Sequence, residues 1–400
     1  MRVPFSPPSI TEREIEAVSA VLRSGWITTG PKTAEFERAL AAYCSVEEVF
    51  CLNSATAGLS LVLEWYGVGP GDEVITSPYT FAATANVILH RGATPVFVDI
   101  CEEDFNLNPD LVAAKITKHT KAVIAVDFGG WPCDYEKLKE VIQQKQAVFE
   151  ATPKTNQEKL GRILLVADAA HSFGAEYRGQ KAGSFGDFDV FSFHAVKNLT
   201  TAEGGAVAFN SLNEIGSGEI RQHFKLMGLH GQSKSALEKQ QLAGWFYEIQ
   251  MAGYKYNLTD MAAAMGLVQL ERYPQLLSCR KKICDYYSEG LRSDFWILPD
   301  LEREGRKTNY HLYPLRLKKP SLRDAFINRM ALEGVALNVH FIPLPLHPLY
   351  RGLGYGMAEL PIAAKLFESE VSLPLFAHMS EEQMAYVVQK ANQVGKELFL

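Results

Sequence analysis

The sequence has little that would tie it to a metal, a nucleic acid or a membrane. Its six cysteines (Cys44, Cys51, Cys101, Cys133, Cys279, Cys284) include no CxxC pair and no zinc-ligand spacing. They read as reduced residues of a cytosolic protein, with no metal site among them. Basic runs are missing, and a net charge of −6 with a pI near 6.0 speaks against a nucleic-acid surface. Apolar runs stop short of the roughly 18 residues a membrane span needs. The stretch after Met1, RVPFSPPSITERE, has no apolar core of a signal peptide. There is no internal repeat and no low-complexity tract. No GxGxxG follows a predicted strand, which disfavours a nicotinamide-dependent oxidoreductase.

What is present is apolar substance and alternation. With 47% hydrophobic residues, 400 residues can bury one large core and one smaller one. The division is expected near residue 270, as 1–270 and 271–400. Thr11-Glu12 opens a helix that runs to Ser24 and stops at Gly25, and a second helix covers 33–44. Strands at 49–52, 73–77, 94–100 and 122–128 alternate with helical stretches after Gly58, at 83–89 and at 109–116, the pattern of a parallel sheet. The polar run 141–162, with Pro153, reads as a surface insertion, and 221–260 as loop-rich. Pro274 is placed to start a long helix to Leu291. Strands at 309–317 and 334–341, a helix at 321–333 and a last helix at 380–395 make a small α/β unit.

Two strand ends carry the chemistry. ILLVADAAHS reads as a buried strand delivering Asp168 at its C-terminal edge, and DVFSFHAVKN delivers Lys197 just beyond another. Ligands of open α/β sheets lie at that edge. A lysine and a carboxylate so placed suit pyridoxal phosphate: the lysine forms a Schiff base with the cofactor aldehyde, and the aspartate keeps the ring nitrogen protonated. Asn53-Ser54-Ala55-Thr56-Ala57-Gly58 has small residues at a helix start, which is either an ordinary cap or a phosphate cup.

SFHAVKNLTTAEGG, VADAAHS, SGWITTGPK, NSATAGL, GDEVITSPYTFAATAN and GYKYNLTD together resemble the DegT/DnrJ/EryC1/StrS family of sugar aminotransferases. The similarity is greatest to members acting on UDP-linked 4-keto sugars, such as the UDP-4-amino-4-deoxy-L-arabinose transaminase type. The resemblance implies a fold type I transferase: a large domain with a mostly parallel seven-stranded sheet, plus a small C-terminal α/β domain. It implies a homodimer with shared active sites, L-glutamate and 2-oxoglutarate as donor pair, and a nucleotide sugar of cell-surface polysaccharide or lipopolysaccharide synthesis as acceptor.

Residue by residue, the resemblance makes Lys197 and Asp168 catalytic and puts Ala55, Thr56 and Ser192 on the cofactor phosphate. Phe81 would stack on the ring, otherwise a core position, and His171 would lie against it near its phenolic oxygen. Asn257 would reach the phosphate in the partner subunit, or simply sit before a helix. Trp26, Thr28 and Thr29, and His340 and His347 of HFIPLPLHPLY, fall where the family meets its substrate. His194 is as readily structural as catalytic. Ala167 departs from the glutamate common before the aspartate, which touches only a contact behind the site. Two rivals stay open: a sugar dehydratase of the same fold, whose lysine is replaced by histidine, and a catalytically silent binding member. The presence of Lys197 and Asp168 disfavours both.

Overall fold

The computed structural model describes residues 1–234 and 245–399. Its centre is a seven-stranded sheet. Strands β1 (Glu48–Leu52), β2 (Glu73–Thr76), β3 (Thr94–Phe97), β4 (Thr120–Val126) and β5 (Leu164–Asp168) come first. A two-residue hairpin, β6 (Glu176–Tyr177) and β7 (Gln180–Lys181), precedes β8 (Phe188–Ser192) and β9 (Gly205–Phe209). The order is β1-β9-β8-β5-β4-β2-β3, with β9 antiparallel to both neighbours and the other pairs parallel.

Why these residues form a covered sheet is visible in β5. All five of its residues are buried. Leu165 and Ala167 join the core on one face, and Leu164 and Val166 join that on the other. A strand buried on both sides has no use for polar alternation, so it reads as a continuous apolar run. Asp168 is the exception, and it lies at the strand's end.

The N-terminal helix, Glu12–Ser24, has the expected cap: Thr11 and Glu14 form a reciprocal capping box, and Gly25 ends it at φ 76°. The long helix departs from expectation. It is one element, Asp260–Gly290, with Pro274 inside it. Proline removes one backbone donor there, and burial of Tyr273 and Leu276 beside it offsets the loss. Tyr273 and Leu276 belong to the core of the large sheet, whereas Ile283, Cys284 and Tyr287 belong to the core beyond it. A boundary near 270 therefore cuts through this helix.

The smaller unit holds a three-stranded antiparallel sheet, with β10 (Trp296–Ile297), β13 (Pro314–Leu317) and β14 (Glu370–Ser372) in that order. Between them in sequence, β11 (Glu302–Arg303) and β12 (Arg306–Lys307) extend the β6–β7 hairpin. The strand expected at 334–341 is absent. That stretch makes only isolated bridges, Val335 to Val3 and Asn338 to Ser372, before Pro343 and Pro345. The true partner, β14, is three residues long, too short to show a period.

Two surface expectations also change. The run 141–162 is docked rather than peripheral: Gln157 is fully buried, and its side-chain amide donates to Gly67 O at 3.2 Å. Asn156 donates to Trp65 O at 2.8 Å, so a short helix, Asn156–Leu160, is pinned on the end of helix Ala55–Tyr66. The segment read as loop-rich begins with the end of a helix, Ser217–Gly228, and residues 235–244 of it lie outside the described residues.

Candidate active site

At the C-terminal edge of the parallel strands lies a cavity of about 530 Å³. Asp168 reaches it from the end of β5. Its Oδ2 accepts the Thr84 hydroxyl at 2.7 Å and its Oδ1 accepts Ala170 N at 3.3 Å. Burial pushes this carboxyl up, while Thr84, the Ala170 amide and the charge of Lys197 pull it down.

Lys197 comes from the loop between β8 and β9. The loop is tight: Phe193 N donates to Gly204 O at 2.9 Å, and Thr201 N to Phe193 O at 2.9 Å. At its tip Lys197 N donates to His194 O, and among the described residues no hydrogen bond or ion pair engages Nζ. The side chain is half-buried and lines the cavity. Burial brings the ammonium down to about 8, against the upward pull of Asp168. An amine so placed is a nucleophile near neutral pH.

Opposite, helix Ala55–Tyr66 points its N-terminus at the cavity. Ser54 caps it by accepting Ala57 N at 3.1 Å, while Ala55 and Thr56 line the wall. First-turn amides without helical partners, and the positive end of the dipole, favour an anion there. The sheet meets this helix closely. A Cβ on Gly205 would lie 2.4 Å from Ala55 N, so only glycine starts β9 here. Ser192, the last residue of β8, adds a hydroxyl to the same wall.

Phe81 caps the next helix, Ala82–His90, and is 67% exposed at the cavity mouth. A large aromatic left so open is better matched to a flat ligand than to the core. His171 and His311 face each other with ring centroids 4.4 Å apart, and His171 Nδ1 has no hydrogen-bond partner. Burial and the nearby Lys197 charge hold both imidazoles well below their usual range, hence neutral.

Eight of the residues expected from the sequence therefore line one cavity: Ala55, Thr56, Phe81, Asp168, His171, Ser192, Lys197 and His340. His194 also lines it, 3.7 Å from Glu203. Trp26, Thr28, Thr29, Asn257 and His347 do not. The first four form a cluster of their own, in which Asn257 donates to the Thr29 hydroxyl at 2.7 Å and Asp260 N to Thr28 O at 3.1 Å. Trp26 folds back, its indole donating to Thr29 O at 3.2 Å. His347 stands at the N-cap position of a short helix, Pro348–Gly352, its carbonyl accepting Arg351 N and its side chain making no cap hydrogen bond. Ala167 packs wholly into the core and touches nothing in the cavity.

Sequence reasoning missed Thr84, His311 and Phe341. Thr84 lies three residues after Phe81, one helical turn, so its alignment with the site was within reach of helix geometry. His311 sits in NYHLYP, where its Nδ1 meets Asn198 Oδ1 at 3.0 Å, a pairing across 113 residues that no local pattern shows.

A helix N-terminus for a phosphate, a buried carboxylate for a ring nitrogen, an exposed aromatic for a ring face and a half-buried lysine for an aldehyde together fit pyridoxal phosphate. The fold and this site define an aminotransferase that uses that cofactor. Residues 8–392 match the family described as the DegT/DnrJ/EryC1/StrS aminotransferase family, and the chain belongs to it. It is 37% identical to the spore coat polysaccharide biosynthesis protein SpsC of Bacillus subtilis, over 98% of this chain and 97% of that protein. Among solved structures, Spr1654 from Streptococcus pneumoniae in its PMP-form superposes with a TM-score of 0.96 at 45% identity, covering 99% of this chain and 100% of that one. Helicobacter pylori PseC, an aminotransferase involved in the biosynthesis of pseudoaminic acid, gives 0.88 at 27% identity, covering 99% and 100%.

Proposed function

We propose that the protein moves an amino group from L-glutamate to a keto sugar carried on a nucleoside diphosphate, a UDP-linked 4-keto sugar being the first acceptor to try. The observation that carries this reading is Lys197, its ammonium weakened by burial, facing Asp168 across one cavity. The relatives support the sugar: SpsC serves a coat polysaccharide and PseC the synthesis of pseudoaminic acid. Cell-surface polysaccharide or lipopolysaccharide synthesis in the cytoplasm is the setting we assign. Among the described residues no helix is long and apolar enough to cross a membrane.

Bound in this cavity, pyridoxal phosphate supplies an electron sink and carries the amino group from donor to acceptor. The chain supplies the rest. The amides at Ala55 and Thr56 and the Ser192 hydroxyl would hold the phosphate. Asp168 would pair with the ring nitrogen and favour its protonated form, with Thr84 fixing the carboxylate's angle. Phe81 would cover one ring face, and His171 would lie beside the ring. Lys197 Nζ would anchor the cofactor aldehyde, and as a free amine it would be the base that accepts the donor's Cα proton and the acid that gives it back across the intervening nitrogen, two bonds away. On the sugar, Lys197 would handle the same proton in the opposite sense.

We further propose a homodimer in which Asn257 of the partner subunit completes the phosphate site. In one chain, Asn257 follows the edge of β1 through a bridge to Leu52, beside the cup but outside the cavity. Trp26, Thr28 and Thr29 share its surface and would meet the sugar in the partner's site; His347 we keep as a substrate-side residue at the outer loop.

The test is amino transfer itself. Purified enzyme is given L-glutamate labelled with heavy nitrogen and a panel of nucleotide-linked keto sugars, and the products are weighed by mass spectrometry. A labelled amino sugar is the expected product. Turnover of glutamate with no labelled sugar from any UDP-, TDP- or GDP-linked acceptor would overturn the reading.

A further inference from the structure

On the far wall of the cavity, His340 is held by groups that the chemistry above does not use. Its Nδ1 lies 2.9 Å from the Ser372 hydroxyl oxygen. That hydroxyl donates in turn to Glu370 Oε1 at 2.6 Å, while Glu370 Oε2 accepts His340 N at 2.9 Å. Glu370 and Ser372 are fully buried, on β14 behind the wall. Burial pushes the Glu370 carboxyl up to about 8, against the downward pull of the Ser372 hydroxyl, the His340 amide and the Arg323 charge, and the buried Tyr79 hydroxyl has no hydrogen-bond partner among the described residues.

The arrangement decides a tautomer. With Glu370 ionised, the Ser372 proton goes to its carboxylate, the hydroxyl has only lone pairs left for His340, and Nδ1 carries the hydrogen. The other ring edge agrees. Asn338 Nδ2, a donor, lies 3.3 Å from His340 Nε2, and the orientation of that amide is fixed because its oxygen accepts Val339 N at 2.9 Å. Both interactions make Nε2 an acceptor, its one lone pair taken at 3.3 Å by Asn338 Nδ2, which a substrate hydroxyl would replace; both His340 and Asn338 line the cavity. The ring is neutral, since burial and Lys197 bring it down to about 4. Phe5 stacks against it at 5.6 Å and limits its rotation.

We propose that Glu370, acting through Ser372, is a positioning residue that locks His340 with Nε2 as a hydrogen-bond acceptor for a hydroxyl of the acceptor substrate. This rests on the reading of the acceptor as a hydroxyl-rich sugar. The donor, glutamate, has no hydroxyl, so the lock bears on one half-reaction only. A site built to accept a hydroxyl's hydrogen discriminates strongly against a ligand or a tautomer that cannot supply the match.

The test substitutes Glu370→Gln. The amide nitrogen in the Oε1 position donates to Ser372, whose proton then turns to Nδ1, and Nε2 becomes a donor at almost unchanged shape. The first readout needs no substrate: a two-bond proton–nitrogen NMR spectrum of histidine-labelled protein, with His340 assigned through His340→Gln. Hydrogen on Nδ1 in the wild type and on Nε2 in Glu370→Gln is expected. The second readout is single-turnover kinetics of each half-reaction. The acceptor half should fall about 10–100-fold in kcat/KM, mostly through KM, the effect of leaving one buried polar group without its hydrogen bond. The glutamate half should be unchanged. Ser372→Ala, which removes the relay, should show the same split. A wild-type ring with hydrogen on Nε2, or an unaltered acceptor half-reaction in Glu370→Gln, or equal losses in both halves, would overturn the proposal. Failure of the sugar reading itself shows differently, as no acceptor half-reaction in the wild type with its tautomer intact.

Discussion

At the residue scale the site works by burying a lysine and a carboxylate in one cavity. Lys197→Ala should reduce amino transfer by several orders of magnitude, since it removes both the anchor and the proton carrier. Steady-state rates with added pyridoxal phosphate check this; retention of more than a small fraction contradicts the assignment. The low value for Lys197 also gives a pH prediction. In the cofactor-free protein, the rate of cofactor capture should rise with pH to a plateau with its midpoint near 8, because only the neutral amine reacts. The sign for stability follows. With its folded value below the ordinary lysine value, the folded chain binds fewer protons than the unfolded chain in the window above about 8. Cofactor-free protein should therefore gain stability from this group as pH rises through that window. Lys197 and Asp168 were legible in the sequence because Asp168 ends one apolar run and Lys197 lies in the polar turn just after another. His311 was harder to read, because its role depends on Asn198, which the fold brings beside it from 113 residues away.

At the scale of elements, the phosphate cup depends on how closely strand and helix meet. Gly205→Ala would drive a Cβ into the backbone at Ser54 and Ala55. A cost of about 1–3 kcal/mol is expected from overpacking, together with a weaker hold on the cofactor. Denaturant unfolding and a cofactor titration read the two effects, and an unchanged affinity would show that the helix start does not hold the phosphate. Asp260 plays the corresponding part elsewhere, accepting Gly30 N, Thr33 N and the Thr33 hydroxyl at 2.7–2.9 Å. Its replacement by alanine should cost about 1–3 kcal/mol through unpaired buried donors. The parallel strands were readable because burial on both faces leaves apolar runs. The small sheet was not, since β10 and β14 have two and three residues and draw their stability from partners far along the chain. Pro274 misled for a related reason: a local breaker signal yielded to packing along Asp260–Gly290.

At the scale of the whole molecule, the cluster of Trp26, Thr29 and Asn257 lies outside its own chain's cavity, and our account gives it to a second copy. Mixing tests that directly. If Asn257 acts across a dimer, Lys197→Ala and Asn257→Ala subunits, each weakly active alone, should restore about a quarter of wild-type activity on random reassociation. Half the dimers are then mixed, and each of those has one intact site. No recovery, or full activity of Asn257→Ala alone, contradicts sharing. The central claim, amino transfer anchored at Lys197, is tested most directly by the visible absorption of the purified holoenzyme during successive additions. L-Glutamate should abolish the visible band of the lysine-bound cofactor, and a UDP-linked 4-keto sugar added after removal of glutamate should bring it back. A band that glutamate leaves untouched, or that appears equally in Lys197→Ala, would contradict the account.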